Sequence, residues 1–228
     1  NGGRQINLAA PFVGNRIDPA LFSPVITRLV NRADFPKSAD PCGRYIWGDP
    51  NVQNWHFPVA KFDYQRSTNH SMFGRYLAET QTQASAYGID KNLLSSSNAS
   101  IGIHGLTQAL TLGDTYVFGP NVVNAFRVWG SRVVVTVKPA GEPTWQSLGA
   151  NVYPFSGLLL SVTGGPTFGV NTASASDVVN NLGLSDDVSL LRGNHQLSVG
   201  ISGQLANTYL ASFAPTGGGR PTFNGAFT

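Results

Sequence analysis

Charge is scarce in this chain: 12% of its 228 residues are Asp, Glu, Lys or Arg, about half the roughly 25% of an ordinary soluble domain. With aromatic residues at 11%, so weakly charged a sequence can bury ample surface and is not a self-repelling coil. Cysteine is reduced to Cys42, which excludes a disulfide within the chain. Long apolar runs are missing too. The greasiest stretches, Val133-Val134-Val135 and Leu158-Leu159-Leu160-Ser161-Val162, are strand-sized, far short of the roughly 18 residues a membrane-spanning helix needs. That excludes a helical membrane protein but not one that crosses with strands. The net charge of +3 comes from basic residues that never stand three in a row, so the clustered cations of a nucleic-acid binder are absent. Asn1-Gly2-Gly3-Arg4-Gln5 has neither the charged start nor the apolar run of a secretion signal. It reads as the start of a cytosolic protein or as an internal piece of a longer chain.

What the sequence does have is turn chemistry and alternation. Twenty-six Gly and 14 Pro favour strands and turns over helices. His195, Leu197, Val199, Ile201, Gly203 and Leu205 alternate with Gln196, Ser198, Gly200, Ser202, Gln204 and Ala206, one apolar face against one small and polar. Residues 184–192 supply a partner strand across Gly193-Asn194. Two further hairpins follow the same plan, 57–65 with 72–80 across Ser67-Thr68-Asn69-His70, and 106–118 with 122–137 across Gly119-Pro120-Asn121. The expected strands are longer than the soluble mode of about 5–6 residues and suit a tilted bilayer crossing of about 9–11.

The connections between hairpins, 81–105 and 138–183, are long, polar and aperiodic. Short turns alternating with long loops is the pattern of an outer-membrane barrel, with turns on the periplasmic side and loops outside. In the first hairpin Ala60, Phe62 and Tyr64 oppose Lys61, Asp63 and Gln65, as lipid outside and water inside would require. Arg66, Arg75, Arg127, Arg132 and Arg192 must then face the lumen or lie near an interface, because a lipid-facing Arg near the midplane costs about 2–4 kcal/mol. Trp129 reads as part of an aromatic girdle. Residues 1–55 form a separate irregular region. Within it Asp18 suits an N-cap and Pro19 a first helical position, while Pro24 predicts a bent or two-piece helix.

Catalytic and metal sets are not found. His56, His70, His104 and His195 lack the close partners of a zinc site, and no Gly-x-Ser-x-Gly elbow occurs. His70 and His195 follow turn asparagines and read as turn-stabilising. Ser185-Asp186-Asp187 reads as a solvated strand start, since calcium wants six to eight oxygens. Gly217-Gly218-Gly219-Arg220 lacks the ending of a phosphate loop and reads as linker. Asn98-Ala99-Ser100 matches a glycosylation pattern of little weight in a bacterial setting. Trp145, in a long loop, is a candidate ligand contact.

Five blocks carry a resemblance to a known family: Phe12-Val13-Gly14-Asn15-Arg16-Ile17 with 18–30, Lys61-Phe62-Asp63-Tyr64-Gln65 through Tyr76, Pro120-Asn121-Val122-Val123-Asn124-Ala125-Phe126-Arg127, Gly193-Asn194-His195-Gln196-Leu197-Ser198-Val199-Gly200, and Phe223-Asn224-Gly225-Ala226-Phe227-Thr228. In this order they resemble the barrel of the Oar-like, TonB-dependent outer-membrane receptors. Ser198, Val199 and Ala125 depart from the family's usual residues, so no role of the charges usual at those places carries over.

The resemblance implies a bacterial outer-membrane protein in contact with lipid that moves a bound solute when a TonB-type energy-transducing complex pulls a plug domain, with no cofactor and no covalent chemistry. The expected fold is all-β, antiparallel up-and-down hairpins over 56–228 forming part of a large transmembrane barrel, with a short helix near the N-terminal end. Gln196, Ser198, Ser202, Gln204, Arg75 and Lys61 would line the lumen, and the long loops would meet the solute. Six strands fall short of the eight of the smallest single-chain barrels, so a longer parent chain is expected. The competing readings are a soluble β-sandwich binding module for a carbohydrate-type ligand and, with only unconnected residues behind it, an esterase-like enzyme.

Overall fold

The computed structural model describes residues 9–10, 12–96, 101–138, 141–152, 158–163, 165–169, 175–212 and 222–223. The 217–220 and 98–100 motifs and all but the first residue of the 223–228 block lie outside them.

The N-terminal region carries a 3-10 turn, Pro19–Leu21, and helix α1, Pro24–Val30. Asp18 caps the first piece, its carboxylate accepting from the Ala20 N–H at 2.9 Å. Pro24, which has no N–H to donate, cannot continue that turn and instead opens the second piece at its first position. The expected two-piece helix is thus present. The strands follow: β1 (Gln53–His56), β2 (Val59–Ser67), β3 (His70–Gln83), β4 (Gly102–Gly119) and β5 (Val122–Lys138). Between β3 and β4 stand a one-turn helix α2 (Ala86–Asp90) and a 3-10 turn (Leu93–Ser96). After β5 come β6 (Leu159–Val162), β7 (Thr167–Gly169), β8 (Ala175–Arg192), β9 (His195–Ser212) and β10 (Thr222–Phe223).

All the long strands belong to one antiparallel sheet in chain order, β3-β4-β5-β8-β9, with β1 and β2 both paired to β3 as one broken edge strand. Pro58 sits at the break, where its carbonyl still accepts from the Ala78 N–H at 3.0 Å. The proline has no N–H to return that bond to Ala78, so one rung of the ladder is lost there and the edge strand breaks. At the β8–β9 turn Gly193 takes a φ of 60°, the left-handed position that a tight hairpin reserves for glycine.

The strands run further toward the long loops than alternation predicts. β8 begins at Ala175, well before the expected 184, and β9 continues to Ser212. Asn180, Asn181 and Gly183 look like turn residues, yet they pair with Arg132, Ser131 and Trp129. Ladder hydrogen bonds hold these ends. At 3.3–3.4 Å per residue and a tilt of about 40° an 18-residue strand rises roughly 45 Å, against an apolar band of about 25 Å. The extra length stands in water, where no alternation is required.

No second layer covers this sheet among the described residues. Phe62, Ile201, Leu205 and Val199 are 61%, 73%, 75% and 68% exposed, the reverse of a soluble sandwich, whose inner faces are sealed against each other. The buried core lies instead in the loops. Leu29, Tyr87, Leu93, Leu94, Trp145, Leu148, Leu158, Leu160 and Phe168 pack into one cluster, with β6, β7 and β10 forming a small sheet there.

Candidate functional site

Residues opposite each other in a ladder share a face, so the register sorts the long strands into two surfaces. One rung aligns Lys61, Arg75, Thr111, Trp129, Gly183 and Gln204, and the next aligns Asp63, Phe73, Gly113, Arg127, Ser185 and Ser202. Ser198 stands opposite Ser189 and Gln196 opposite Leu191 on the same side. The six residues expected to line a lumen, Lys61, Arg75, Gln196, Ser198, Ser202 and Gln204, therefore share one polar face. Four of its charges form two ion pairs. Lys61 lies 2.8 Å from Asp63 and over the Phe73 ring, 5.9 Å from its centroid. Arg127 stands 3.4 Å from Asp187, and the Ser189 and Ser198 hydroxyls share a hydrogen bond of 2.9 Å. The Arg127–Asp187 pair was not foreseen, because Asp186 and Asp187 lie well inside β8 and point to opposite faces, not at a strand start.

Trp129 also corrects an expectation. It is on the polar face, not in a lipid-side girdle, with its ring laid over Gly183. A Cβ added at Gly183 would come within 2.3 Å of Trp129 Cε2 and Cζ2. Phe73 covers Gly113 in the same way, which explains a large apolar residue where alternation asks for a polar one. Each ring shields bare backbone that a larger neighbour would otherwise cover.

The opposite surface is apolar. Phe62, Gly74, Leu112, Val128, Leu184 and Gly203 form one rung, and Ala60, Tyr76, Leu110, Gly130, Leu182 and Leu205 the next. Toward the short turns, His70 stacks edge-on against Tyr116 and Tyr116 against Phe118, with centroids 5.2 and 4.7 Å apart. These rings, not Trp129, form the aromatic belt of that rim. Acidic groups on this side are hydrogen-bonded: His70 Nε2 to Asp114, and Asn124 donating to Asp186. His70 thus reaches across to β4 instead of bracing its own turn, whereas His195 opens β9 directly after its turn, exposed.

The loop cap is the third element, built by groups far apart in sequence. Arg28 Nη1 donates to the Leu148 carbonyl at 2.9 Å. Arg32 holds Asp34 with both ends of its guanidinium, at 2.8 and 2.7 Å, and the Tyr87 hydroxyl donates to the same carboxylate. A cleft of about 560 Å³ opens beside them, lined also by Ala33, Asp90 and Lys91. Trp145, expected at a ligand-facing surface, is instead 6% exposed inside the cap core, packed among leucines, Tyr87 and Phe168. Among the described residues, no group of three or more His, Cys, Asp or Glu could hold a metal ion.

Burial alone would raise the Asp34 pKa, but the hydrogen bonds from Arg32 and Tyr87 outweigh it and hold the carboxyl below its usual range. Burial, with the Asp34 hydrogen bond added, pushes the Tyr87 phenol up to about 12. The signs follow by linkage. Asp34 stabilises the cap fully above its unfolded pKa of about 3.9, and that contribution disappears as pH falls through the lower folded value. Tyr87 contributes below about pH 10 and loses its share as pH rises through the folded value of about 12. Protease cleavage of the loops should therefore accelerate below about pH 4 while the wall stays intact. Asp34→Asn, expected to cost about 1–3 kcal/mol through the weakened charged hydrogen bonds, should show the faster cleavage already at neutral pH. A cleavage rate flat across the acid range would contradict this account.

A family profile described as Outer membrane beta barrel domain matches residues 1–228. No curated protein and no solved structure matches the chain.

Proposed function

The chain belongs to the outer membrane beta barrel domain family and lies in the bacterial outer membrane, and from this we propose that it forms part of the wall of an Oar-like, TonB-dependent transporter moving a bound solute across that membrane. The polar face would line the path. The observation that supports this reading most is the open polar wall: six ladder positions across, charged and hydroxyl side chains on one face, and, among the described residues, a long unpaired edge at β1–β2 and another at β9. Edges of that length are aggregation-prone unless paired, and eight strands is the least that closes a single-chain barrel. Further strands of a parent chain would pair with both edges and close a lumen wide enough for a large solute and for a plug. The capped loop end would meet the solute outside, and the short turns would face the periplasm and the energy-transducing complex. The wall performs no covalent chemistry in this reading.

Two deletions in the native host test it, one removing the parent gene and one the energy-transducing complex. Both should leave the same solute unconsumed in a defined medium profiled by mass spectrometry. Depletion that continues without the complex would overturn energy coupling. A profile unchanged by loss of the parent gene would overturn transport.

A further inference from the structure

Three cations fall on the apolar side by register: Arg192 and Lys138 end β8 and β5, next to a short turn and a long loop, while Arg132 stands within its strand. Arg132 shares its rung with Ala78, Gln108, Asn180 and Asn207 and so points to the apolar face, between the Leu110–Leu182 rung and the Leu106–Val134 rung. No carboxylate pairs with it among the described residues. Its Nη1 donates to Asn180 Oδ1 at 3.0 Å, and beside it Gln108 donates to the Tyr76 hydroxyl at 2.8 Å. The guanidinium has five N–H donors in a planar fork, so most of that fork faces the cleft of about 440 Å³ bounded by Tyr76, Gln108, Leu110, Gly130, Arg132 and Asn180.

Depth says what occupies the cleft. β5 leaves its short turn at Val122, and 122–132 is the length of about 9–11 residues that crosses a bilayer. Arg132 therefore stands at the rim on the loop side, level with the outer leaflet's headgroups. Below it Leu110, Leu182 and Leu205, 46%, 58% and 75% exposed, offer a strip for acyl chains, and Tyr209, 66% exposed, stands one rung above as an interfacial aromatic would. An unpaired cation beside hydrocarbon calls for an anion, and the guanidinium fork fits the oxygens of a phosphate in pairs. The carboxylates toward the opposite rim, Asp114 and Asp186, are already hydrogen-bonded and would repel the same ligand. We propose that Arg132, with Asn180, Gln108 and Tyr76, holds the phosphate of a phosphorylated glycolipid of the outer leaflet against the outside of the barrel.

The test uses the full-length parent protein extracted from its own membrane in mild detergent, with bound lipid quantified by native mass spectrometry. Arg132→Gln should retain about tenfold less phosphorylated glycolipid, as loss of charge-assisted hydrogen bonds predicts, while Arg44→Gln on the exposed N-terminal region retains it all. In parallel the unaltered protein is placed in vesicles of phosphatidylethanolamine alone, with lipid A, or with lipid A stripped of its phosphates. Only intact lipid A should raise the melting temperature. The vesicle arms decide the question if the Arg132 variant fails to fold. Equal retention by a folded Arg132→Gln, equal stabilisation by phosphate-free lipid A, or a full shift from inorganic phosphate in detergent would each overturn the proposal.

Discussion

Arginine in place of Leu184 is expected to abolish stable assembly in the outer membrane, whereas arginine in place of Ser202 is expected to be tolerated. The two sites lie on neighbouring strands within one rung of each other, but on opposite faces. Leu184, 48% exposed, stands on the apolar rung with Leu112 and Val128. A charge there meets hydrocarbon at a cost of about 2–4 kcal/mol, a large share of a net stability of about 5–15 kcal/mol. Ser202 lies on the polar face beside Ser185, in line with Arg127, where a further charge stays hydrated. The readout is the fraction of protein in the outer membrane that migrates as a compact band unless heated. Equal loss from both variants, or loss from Ser202→Arg alone, would mean that the faces are assigned the wrong way round.

Valine in place of Gly183 is expected to destabilise the wall by about 1–3 kcal/mol, the usual result of forcing atoms into a filled position. Strand propensity alone predicts the opposite sign, since valine is favoured over glycine by up to about 1 kcal/mol. The clash decides, because Trp129 atoms stand within 2.3 Å of where the new Cβ would be. Trp129→Ala should remove the penalty, so that Gly183→Val becomes neutral or stabilising in that background. Unfolding midpoints of the four proteins in detergent give the coupling energy. Additivity within about 0.3–0.5 kcal/mol would show that the ring does not rest on this glycine.

The hairpins, their turns and the identity of the two faces are legible in the sequence because bilayer and lumen impose strict alternation on residues such as 195–205. Where strands leave the bilayer that pressure lapses. Ala175 to Gly183 therefore reads as loop, although its backbone pairs on both sides. Trp129 and Phe73 mislead for a different reason: the residue that explains each ring is a glycine on the next strand, and a linear reading does not show which glycine lies opposite. The cap was hidden almost completely. Leu29, Tyr87, Leu93, Leu148 and Phe168 have no common period and meet only in three dimensions. Asp34, the group that ties α1's end to Tyr87, looks on its own like any solvated loop carboxylate.

That shared cap has a consequence for the order of assembly. Its hydrophobic centre draws on segments before β1, between β3 and β4, and between β5 and β8, so no single crossover can consolidate by itself. Each must wait, unsealed, until the intervening staves have been paired. The lid is therefore the last part to mature, and a lesion anywhere in the ribbon beneath it should surface first as premature nicking of these far-flung crossovers.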